Sequence, residues 1–359
     1  MPKYRICFIA IFCITLLPAF AQNKFVPADD ANISYEGRIL FRNRAVELMW
    51  PGTAVNINFT GTGIAGEFKD ADTANYYNII IDNGNPVIMH FGKDKQSYKL
   101  AENLQAGKHS LEIFKRTEWD KGRTWFYGFD LTGNSTLLPP SPRPARKIEF
   151  FGNSISCGYA INDNASDSHN GYYENNYDAY PAITARYFNA QYHCTSKSGI
   201  GIMVSWFPLI MPEMYNRTDP EDSASRWDFS KYTPDVVVIN LFQNDSWIVK
   251  LKDNPQFKAR FGTTPPTHGK IINAYKNFLQ TIRNTYPNAT IICMLGSMDI
   301  TKSGSPWPGY VQKAAEQMHD PKILTYFAPY KNTPGHPKVA EQKTLADGLI
   351  KFIEAHVKW

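Results

Sequence analysis

Two runs of consecutive apolar residues, 236–239 and 291–295, constrain the fold of this chain more than any other feature of its sequence. A strand that is apolar on successive positions must be covered on both faces, as in a parallel sheet between layers of helices. Residues 271–285 carry apolar side chains at helical spacing and precede the second run. They predict a helix that connects two parallel strands, and therefore an α/β domain.

The same alternation of strands and helices continues through residues 146–359, which we expect to form one domain. Its other predicted elements are strands at 148–151, 192–195 and 323–327 and helices at 177–190 and 337–357. The last helix has one apolar stripe, which is expected to pack against the sheet. In open parallel sheets the ligand site lies beyond the carboxyl ends of the strands, so residues that follow the strands are the first candidates for function.

The N-terminal third of the chain instead shows a period of two. Val55, Ile57 and Phe59 alternate with polar neighbours, and similar short segments are separated by Gly, Asn and Asp. About eight such strands without a helical period predict an all-β sandwich, with jelly-roll topology, over residues 22–136. Residues 137–145 contain four prolines and predict a stiff linker between the two domains.

Residues 1–21 have the parts of a secretory signal peptide. A basic start is followed by an apolar run at 6–17 and a small-x-small cleavage site that ends at Ala21. The alternative, an uncleaved membrane anchor, is disfavoured because the apolar run is shorter than the ~20 residues that a spanning helix needs. We expect a secreted or periplasmic protein with no membrane association after cleavage.

The charge and the cysteines of the mature chain limit its partners and its covalent cross-links. The formal net charge of +5 falls to +3 when Lys3 and Arg5 leave with the signal peptide. The remaining basic residues are scattered, so a nucleic acid partner is not expected. Cys157, Cys194 and Cys293 are too few for a disulfide framework and are expected to be buried, with a bridge between the first two left open.

Four residues at or after the ends of predicted strands have the chemistry that ester hydrolysis requires. Ser154 follows a hydrophobic strand and fits the nucleophile, and His336 opens the last helix and fits the base. Gly199, in a glycine-containing turn, and Asn244, after the strand at 236–242, fit the donors to an oxyanion. The backbone N–H of Ser154 is a third candidate donor.

Each of these residues also has a purely structural interpretation. Ser154 could be a helix N-cap after a strand, and His336 could merely precede a helix that starts with proline. Gly199 and Asn244 could simply shape turns, and Gly201 is an alternative donor to the oxyanion. Four placements on one edge of the sheet favour the catalytic interpretation.

The sequence around these residues resembles a known superfamily. In family order, the chain contains the four blocks of the SGNH (GDSL-like) hydrolases as Gly152-Asn153-Ser154-Ile155, Ser198-Gly199-Ile200-Gly201, Asn244-Asp245 and His336-Pro337. With a β-sandwich ahead of these blocks, it resembles carbohydrate esterase family 2, whose members remove acetyl groups from xylan, mannan and related sugars. The resemblance implies a three-layer α/β/α domain with Ser154 as nucleophile and His336 as base. Gly199 and Asn244 are then the oxyanion donors.

Two positions depart from the family pattern. Asn153 stands where the first block usually has aspartate, and Thr333 and Pro334 stand where the family often has an aspartate before the histidine. The sequence therefore predicts a Ser–His dyad, whose histidine is oriented by a backbone carbonyl or by an acid elsewhere in the chain. The predicted function is an exported serine esterase, which forms an acyl-enzyme and deacetylates xylan, mannan or glucomannan, as polysaccharides or oligosaccharides.

Two other functions fit the same sequence less well. The missing aspartate slightly favours a catalytically impaired carbohydrate-binding protein, and a lipase-like esterase is disfavoured because no amphipathic lid is apparent. No metal or other cofactor is expected. His169, with Asp163, Asp167 and Asn170, has metal-ligand residue types but no known ligand spacing, and these residues are interpreted as a solvated loop.

Overall fold

The computed structural model describes residues 24–132 and 135–359, so the predicted signal peptide lies outside the described residues. Twelve short strands occupy the first part of this range: β1 (Lys24–Pro27), β2 (Ser34–Glu36), β3 (Leu40–Arg42), β4 (Ala45–Leu48), β5 (Ala54–Gly61), β6 (Ile64–Asp70), β7 (Tyr77–Ile81), β8 (Val87–Met89), β9 (Gln96–Ala101), β10 (Gly107–Lys115), β11 (Thr124–Leu131) and β12 (Thr136–Leu138). They form two six-stranded antiparallel sheets.

The two antiparallel sheets pack face to face, which confirms the predicted sandwich. Alternate residues of β5 and β6, among them Val55, Phe59 and Phe68, are buried and share one apolar core. The prediction of about eight strands was too low, because strands of three or four residues are too short to show a period. Leu137 and Leu138 were assigned to the linker because prolines follow them, but they belong to β12.

The second part contains five strands: β13 (Arg146–Gly152), β14 (Ala190–Ser196), β15 (Val236–Asn240), β16 (Thr290–Leu295) and β17 (Ile323–Phe327). The helices described there are α1 (Ser154–Cys157), α2 (Tyr180–Tyr187), α3 (Met211–Met214), α4 (Gln243–Ile248), α5 (Pro255–Phe261), α6 (His268–Thr285), α7 (Trp307–Glu316) and α8 (Val339–His356). The strands form one parallel sheet in the order β14-β13-β15-β16-β17.

The two faces of this sheet are covered by different helices, as the apolar strands predicted. Val237 and Ile239 of β15 belong to the core that α6 and α7 cover, whereas Val238 belongs to the core that α2 and α8 cover. The three-layer α/β/α architecture is therefore confirmed. Five helices, α1, α3, α4, α5 and α7, were not predicted, and α4 contains Asn244.

The three strands nearest the candidate site end at the same level. Gly152, at the end of β13, is paired with Ser196 of β14 on one side and with Asn240 of β15 on the other. Because β13 lies between β14 and β15, which both follow it in the chain, the strand order reverses at β13. Such a switch point is where open α/β sheets bind ligands.

Among the described residues, the cysteines form no cross-link, and the helices do not have the character of membrane spans. Cys157, Cys194 and Cys293 are buried and free, so the bridge that the sequence left open is not formed. The Ser196 hydroxyl lies between the first two, 3.2 Å from the Cys157 sulfur and 3.1 Å from the Cys194 sulfur. Within residues 24–132 and 135–359, no helix combines the length and the apolar character that crossing a bilayer requires.

Arg38 joins the sandwich to the parallel sheet through a buried ion pair. This side chain is 1% exposed and lies in the bend between β2 and β3. Its Nη2 donates to Glu149 Oε1 of β13 at 2.7 Å, and its Nη1 donates to the carbonyl of Arg217 at 3.0 Å. Glu149 also accepts a hydrogen bond from Thr195 of the neighbouring strand. The guanidinium thus neutralises a carboxylate inside the α/β domain.

We expect Arg38→Ala to lower the free energy of unfolding by about 3–5 kcal/mol, because Glu149 would be left buried without a counter-charge. Urea unfolding followed by tryptophan fluorescence measures this change. Arg42→Ala is the matched control, since Arg42 is exposed and pairs with Glu47 only at 3.9 Å; it should cost less than about 1 kcal/mol. Equal effects of the two substitutions would contradict the prediction.

Candidate active site

Ser154 is placed by a tight junction between β13 and α1. Asn153 caps the helix, since its Oδ1 accepts the N–H of Ile155 at 3.1 Å, so the asparagine serves as well as the family's aspartate in this contact. A side chain at Gly152 would put its Cβ 2.0 Å from the Ser156 hydroxyl, and only glycine fits there. Ser154 is the first residue of α1 and is 5% exposed.

His336 lies within hydrogen-bond distance of the serine, as predicted. Its Nε2 is 2.9 Å from Ser154 Oγ. The histidine stands in the segment between β17 and α8, and its ring packs on Tyr159 with 4.5 Å between ring centroids. An imidazole nitrogen at this distance is suited to take the proton of the serine hydroxyl.

The other ring nitrogen of His336 meets a carboxylate that the sequence analysis did not identify. Asp167 Oδ2 lies 2.5 Å from His336 Nδ1, and the backbone N–H of His336 donates to Asp167 Oδ1 at 3.1 Å. Gly335 adopts a φ of +69°, a conformation that favours glycine. Because glycine has no Cβ, the carboxylate can approach; a Cβ at this position would lie 3.2 Å from Asp167 Cγ.

The expected Ser–His dyad is therefore corrected to a chain of three groups, Asp167, His336 and Ser154. The 163–170 segment is a largely exposed loop, as interpreted, but Asp163 is buried in it and Asp167 contacts the histidine. A carboxylate on Nδ1 fixes the tautomer that leaves Nε2 free to accept a proton, and it stabilises the imidazolium that forms. The acid comes from a loop after β13 and not from the segment that precedes the histidine.

Asp163 and Lys338 hold the loop that carries Asp167. Asp163 Oδ1 accepts the N–H of Ser166 at 2.9 Å, and its Oδ2 accepts the N–H of Ser168 at 3.0 Å. The backbone on both sides of Asp167 is therefore hydrogen-bonded to the Asp163 carboxylate. Lys338 Nζ donates to the carbonyl of Ser166 at 3.1 Å and to Asp167 Oδ1 at 3.2 Å. These contacts leave Asp167 with its second oxygen directed at the imidazole.

The ionisation of Asp167 suits this position. Partial burial acts to raise its pKa, but the hydrogen bonds and charge of His336, with a further hydrogen bond from Lys338, outweigh burial and lower the pKa to about 2. The carboxylate therefore stays charged at any pH near neutrality.

Gly199 lies in the turn that follows β14, at the same edge of the sheet. Its φ is +81°, and a Cβ would lie 3.1 Å from the ring of Phe207 and 3.3 Å from that of Trp206. The Gly201 N–H donates to Ser205 Oγ at 2.9 Å, whereas no acceptor for the Gly199 N–H is found in the described ranges 24–132 and 135–359. Of the two glycines, Gly199 therefore has the amide that remains available to a ligand.

Asn244 lies in α4, which begins immediately after Phe242, a residue with φ of +79°. Its Nδ2 donates to the carbonyl of Ile200 at 2.8 Å, and its Oδ1 accepts the indole N–H of Trp206 at 3.1 Å. These two contacts fix which way the amide points. An amide nitrogen carries two hydrogens, so one N–H of Asn244 remains for an oxyanion.

Asp245 organises the turn that joins Gly199 to the next segment. This carboxylate is fully buried and accepts the N–H groups of Ile202, Met203 and Val204 at 3.0, 2.7 and 3.1 Å. Burial raises its pKa to about 6, against the opposing effect of these three backbone donors. Asp245 thus fixes the backbone of residues 202–204, directly after the glycine turn.

Three carboxylates near the site lie close enough together to hold a metal ion. Oxygens of Glu118, Asp120 and Glu174 are within 4.8 Å of one another. Lys197 Nζ lies 3.1 Å from Asp120, and Lys121 Nζ lies 3.0 Å from Glu174. The ammonium groups already supply positive charge there, and the prediction that the protein uses no metal stays a prediction.

Three residues of the site were missed by sequence reasoning. Trp206 and Asp245 act through contacts with Asn244 and the glycine turn, which no local pattern predicts. Asp167 had one available signal: Asp163 and Ser166 have the Asp-x-x-Ser spacing of a side chain that closes a turn on backbone N–H groups, which indicates an ordered loop.

The chain is similar to known proteins along nearly its whole length. A family model described as the N-terminal domain of carbohydrate esterase 2 matches residues 35–141. The solved structure of a family two carbohydrate esterase from Clostridium thermocellum in complex with cellohexaose is 33% identical, with a TM-score of 0.79, over 90% of this chain and 98% of that chain.

Two curated relatives have named activities. Cellulase/esterase CelE of Acetivibrio thermocellus is 33% identical over 94% of this chain, which spans only 41% of that protein. An acetylxylan esterase / glucomannan deacetylase of Cellvibrio japonicus is 24% identical over 97% of this chain and 95% of that protein.

Asp245→Asn is expected to destabilise the protein by about 1–3 kcal/mol at pH 8, because an amide nitrogen would replace an oxygen that accepts a backbone N–H. Urea unfolding gives the change in the free energy of unfolding. Asp228→Asn provides the control, since Asp228 accepts the N–H of Ser230 in an exposed turn. The prediction fails when the two variants are equally stable.

Proposed function

We propose that this chain, which belongs to carbohydrate esterase family 2, is a serine esterase. It removes O-acetyl groups from plant cell-wall polysaccharides or their oligosaccharides, such as acetylated xylan, mannan or glucomannan. The observation that carries the proposal is the hydrogen-bonded chain from Asp167 through His336 to Ser154. The named activity of the Cellvibrio japonicus relative supports the substrate class.

In the first step, Ser154 Oγ attacks the carbonyl carbon of the acetyl ester while His336 Nε2 takes the hydroxyl proton. The imidazolium that forms is stabilised by Asp167, which accepts a hydrogen bond from Nδ1 and is not itself protonated. When the tetrahedral intermediate collapses, the bond from carbon to the sugar oxygen breaks. His336 returns its proton to that oxygen, the sugar leaves as an alcohol, and the acetyl group remains on the serine.

The negative charge of the tetrahedral intermediate needs donors that are already in place. The N–H groups of Ser154 and Gly199 and one N–H of Asn244 are the candidates, at the ends of β13, β14 and β15. Because these strands end in register at Gly152, Ser196 and Asn240, the donors converge on one edge of the sheet. One such donor typically contributes about 10²–10³ to the rate.

In the second step, water takes the place of the sugar. His336 removes a proton from water, the hydroxide attacks the acetyl-serine, and the same donors hold the second oxyanion. Collapse breaks the bond from carbon to Ser154 Oγ, His336 returns its proton to that oxygen, and acetic acid is released. The reaction consumes one ester and one water and yields one alcohol and one acetic acid, so no cofactor is required by its balance.

The alternative of a catalytically impaired binding protein loses its main argument, because the aspartate that was missing before His336 is supplied by Asp167. A lipase-like function gains no support from any observation of the site. Export of the mature chain remains part of the proposal, as do the two domains, with the sandwich extended from residue 136 to Leu138 and the linker shortened to 139–145.

The proposal is tested by acetate release from acetylated xylan and glucomannan. We expect Ser154→Ala and His336→Ala to lower kcat by about 10⁴-fold or more, and Asp167→Asn by about 10³–10⁴-fold, because these groups act as a unit. Circular dichroism confirms that each variant is folded, and Asp228→Asn is the control for loss of a surface carboxylate. Activity on p-nitrophenyl esters should fall as the acyl chain grows beyond acetyl.

The outcomes separate the alternatives. Wild-type protein that releases no acetate from any acetylated sugar would favour the binding protein. Wild-type activity that increases with acyl length would favour the lipase-like esterase. Full activity in Asp167→Asn, with loss in the other two variants, would restore the Ser–His dyad.

A further inference from the structure

One short segment of the sandwich, residues 118–121, reaches the candidate active site. It follows β10 and contains a 3-10 turn at Trp119–Lys121. Ser154, Asp167, Gly199, Asn244 and His336 all belong to the α/β domain. This segment is the place where the sandwich contacts the glycine turn after β14 and the loop that carries Asp167.

The contact with the glycine turn is a hydrogen bond from the backbone to a buried carboxylate. Glu118 is fully buried, and its Oε2 accepts the N–H of Ser198 at 2.7 Å. Ser198 immediately precedes Gly199. On the other side of this bond, Lys197 Nζ lies 3.1 Å from Asp120 and 4.3 Å from the ring centroid of Trp119. Two consecutive residues of the turn are thus held by the sandwich.

The same segment contacts the loop of the catalytic acid. Lys121 Nζ lies 2.8 Å from His169 Nε2, and His169 follows Asp167 by two residues. Glu174, further along the same stretch, accepts the backbone N–H of Glu118 at 3.1 Å. The 118–121 segment is therefore fixed between the two loops that it contacts.

We propose that Glu118 is a positioning residue for ester hydrolysis: its carboxylate holds the backbone at Ser198 so that the next N–H, of Gly199, faces the oxyanion. The β-sandwich is then part of the catalytic apparatus and not only an appended domain. This inference rests on the proposed function.

The surroundings of Glu118 disfavour its charged form, so packing alone does not explain a glutamate at this position. Burial, followed by the charges of Asp120 and Glu174, raises its pKa to about 7, while Lys197 and Ser198 oppose the rise. Its Oε1 has no hydrogen-bond partner in the described part of the chain. A buried carboxyl group beside like charges is destabilising, and such arrangements concentrate at functional sites.

The substitutions Glu118→Gln and Glu118→Asp separate the acceptor role from the charge. Glutamine keeps an oxygen at the same reach but is neutral, whereas aspartate keeps the charge and withdraws the oxygen by one methylene. Positioning through Ser198 predicts that Glu118→Gln retains most of kcat on p-nitrophenyl acetate. Glu118→Asp should lose about 10- to 100-fold in kcat with little change in KM, somewhat less than deletion of an oxyanion donor.

Glu36→Gln is the matched control. Glu36 is another glutamate of the sandwich whose carboxylate accepts a backbone N–H of β14, that of Tyr192 at 3.1 Å. Tyr192 lies near the start of that strand and Ser198 beyond its end, so this contact between the domains does not touch the site. The control should keep its kcat, and thermal unfolding of all variants shows whether each is folded.

A higher kcat for Glu118→Gln than for Glu118→Asp, with Glu36→Gln unchanged, supports the inference. The reverse order, or a folded Glu118→Asp with the kcat of the wild type, would overturn it while the wild type remains an active esterase. A wild type that does not hydrolyse the ester would instead overturn the proposed function, and this inference with it.

Discussion

The parallel pairing of β13 with β14 and β15 is the constraint on which the rest of the site depends. These three strands end in register, at Gly152, Ser196 and Asn240, so the chain leaves the sheet three times at one level. Each exit is followed within four residues by a group that the proposed reaction uses. No contact between the loops is needed to bring these groups to one edge, because hydrogen bonding between the strands has already fixed their height.

The remaining precision comes from buried polar contacts beneath that edge. Asp245 accepts three backbone N–H groups from residues 202–204, directly after the glycine turn. Gln342 of α8 accepts the N–H of Tyr180 and donates to the carbonyl of Ile155 in α1. These groups do not touch the place where a substrate would react. Oxyanion stabilisation depends on donors that do not reorganise, and supporting contacts of this kind keep them in place.

Ion pairs as well as packing contacts connect the two domains. Arg38 of the sandwich neutralises Glu149 in the central strand, and Lys197 of the α/β domain pairs with Asp120 of the sandwich. Ion pairs that cross a buried boundary fix the relative orientation of the two parts, because separating them would leave charges without partners in the interior. The edge of the sheet with the candidate residues is therefore stabilised by contacts of both domains and not by the parallel sheet alone.

The sequence by itself determined the sandwich, the three-layer domain and the identity of Ser154, Gly199, Asn244 and His336 as candidates, because strand periods and positions after strands are local properties. Only the tertiary structure decided which acid meets the histidine. Asp167 is separated from His336 by 169 residues, and the contact depends on a glycine with positive φ and on the loop closed by Asp163. A hydrogen bond between distant loops leaves no period in the sequence, since it is fixed by how the elements pack and not by the residues beside it.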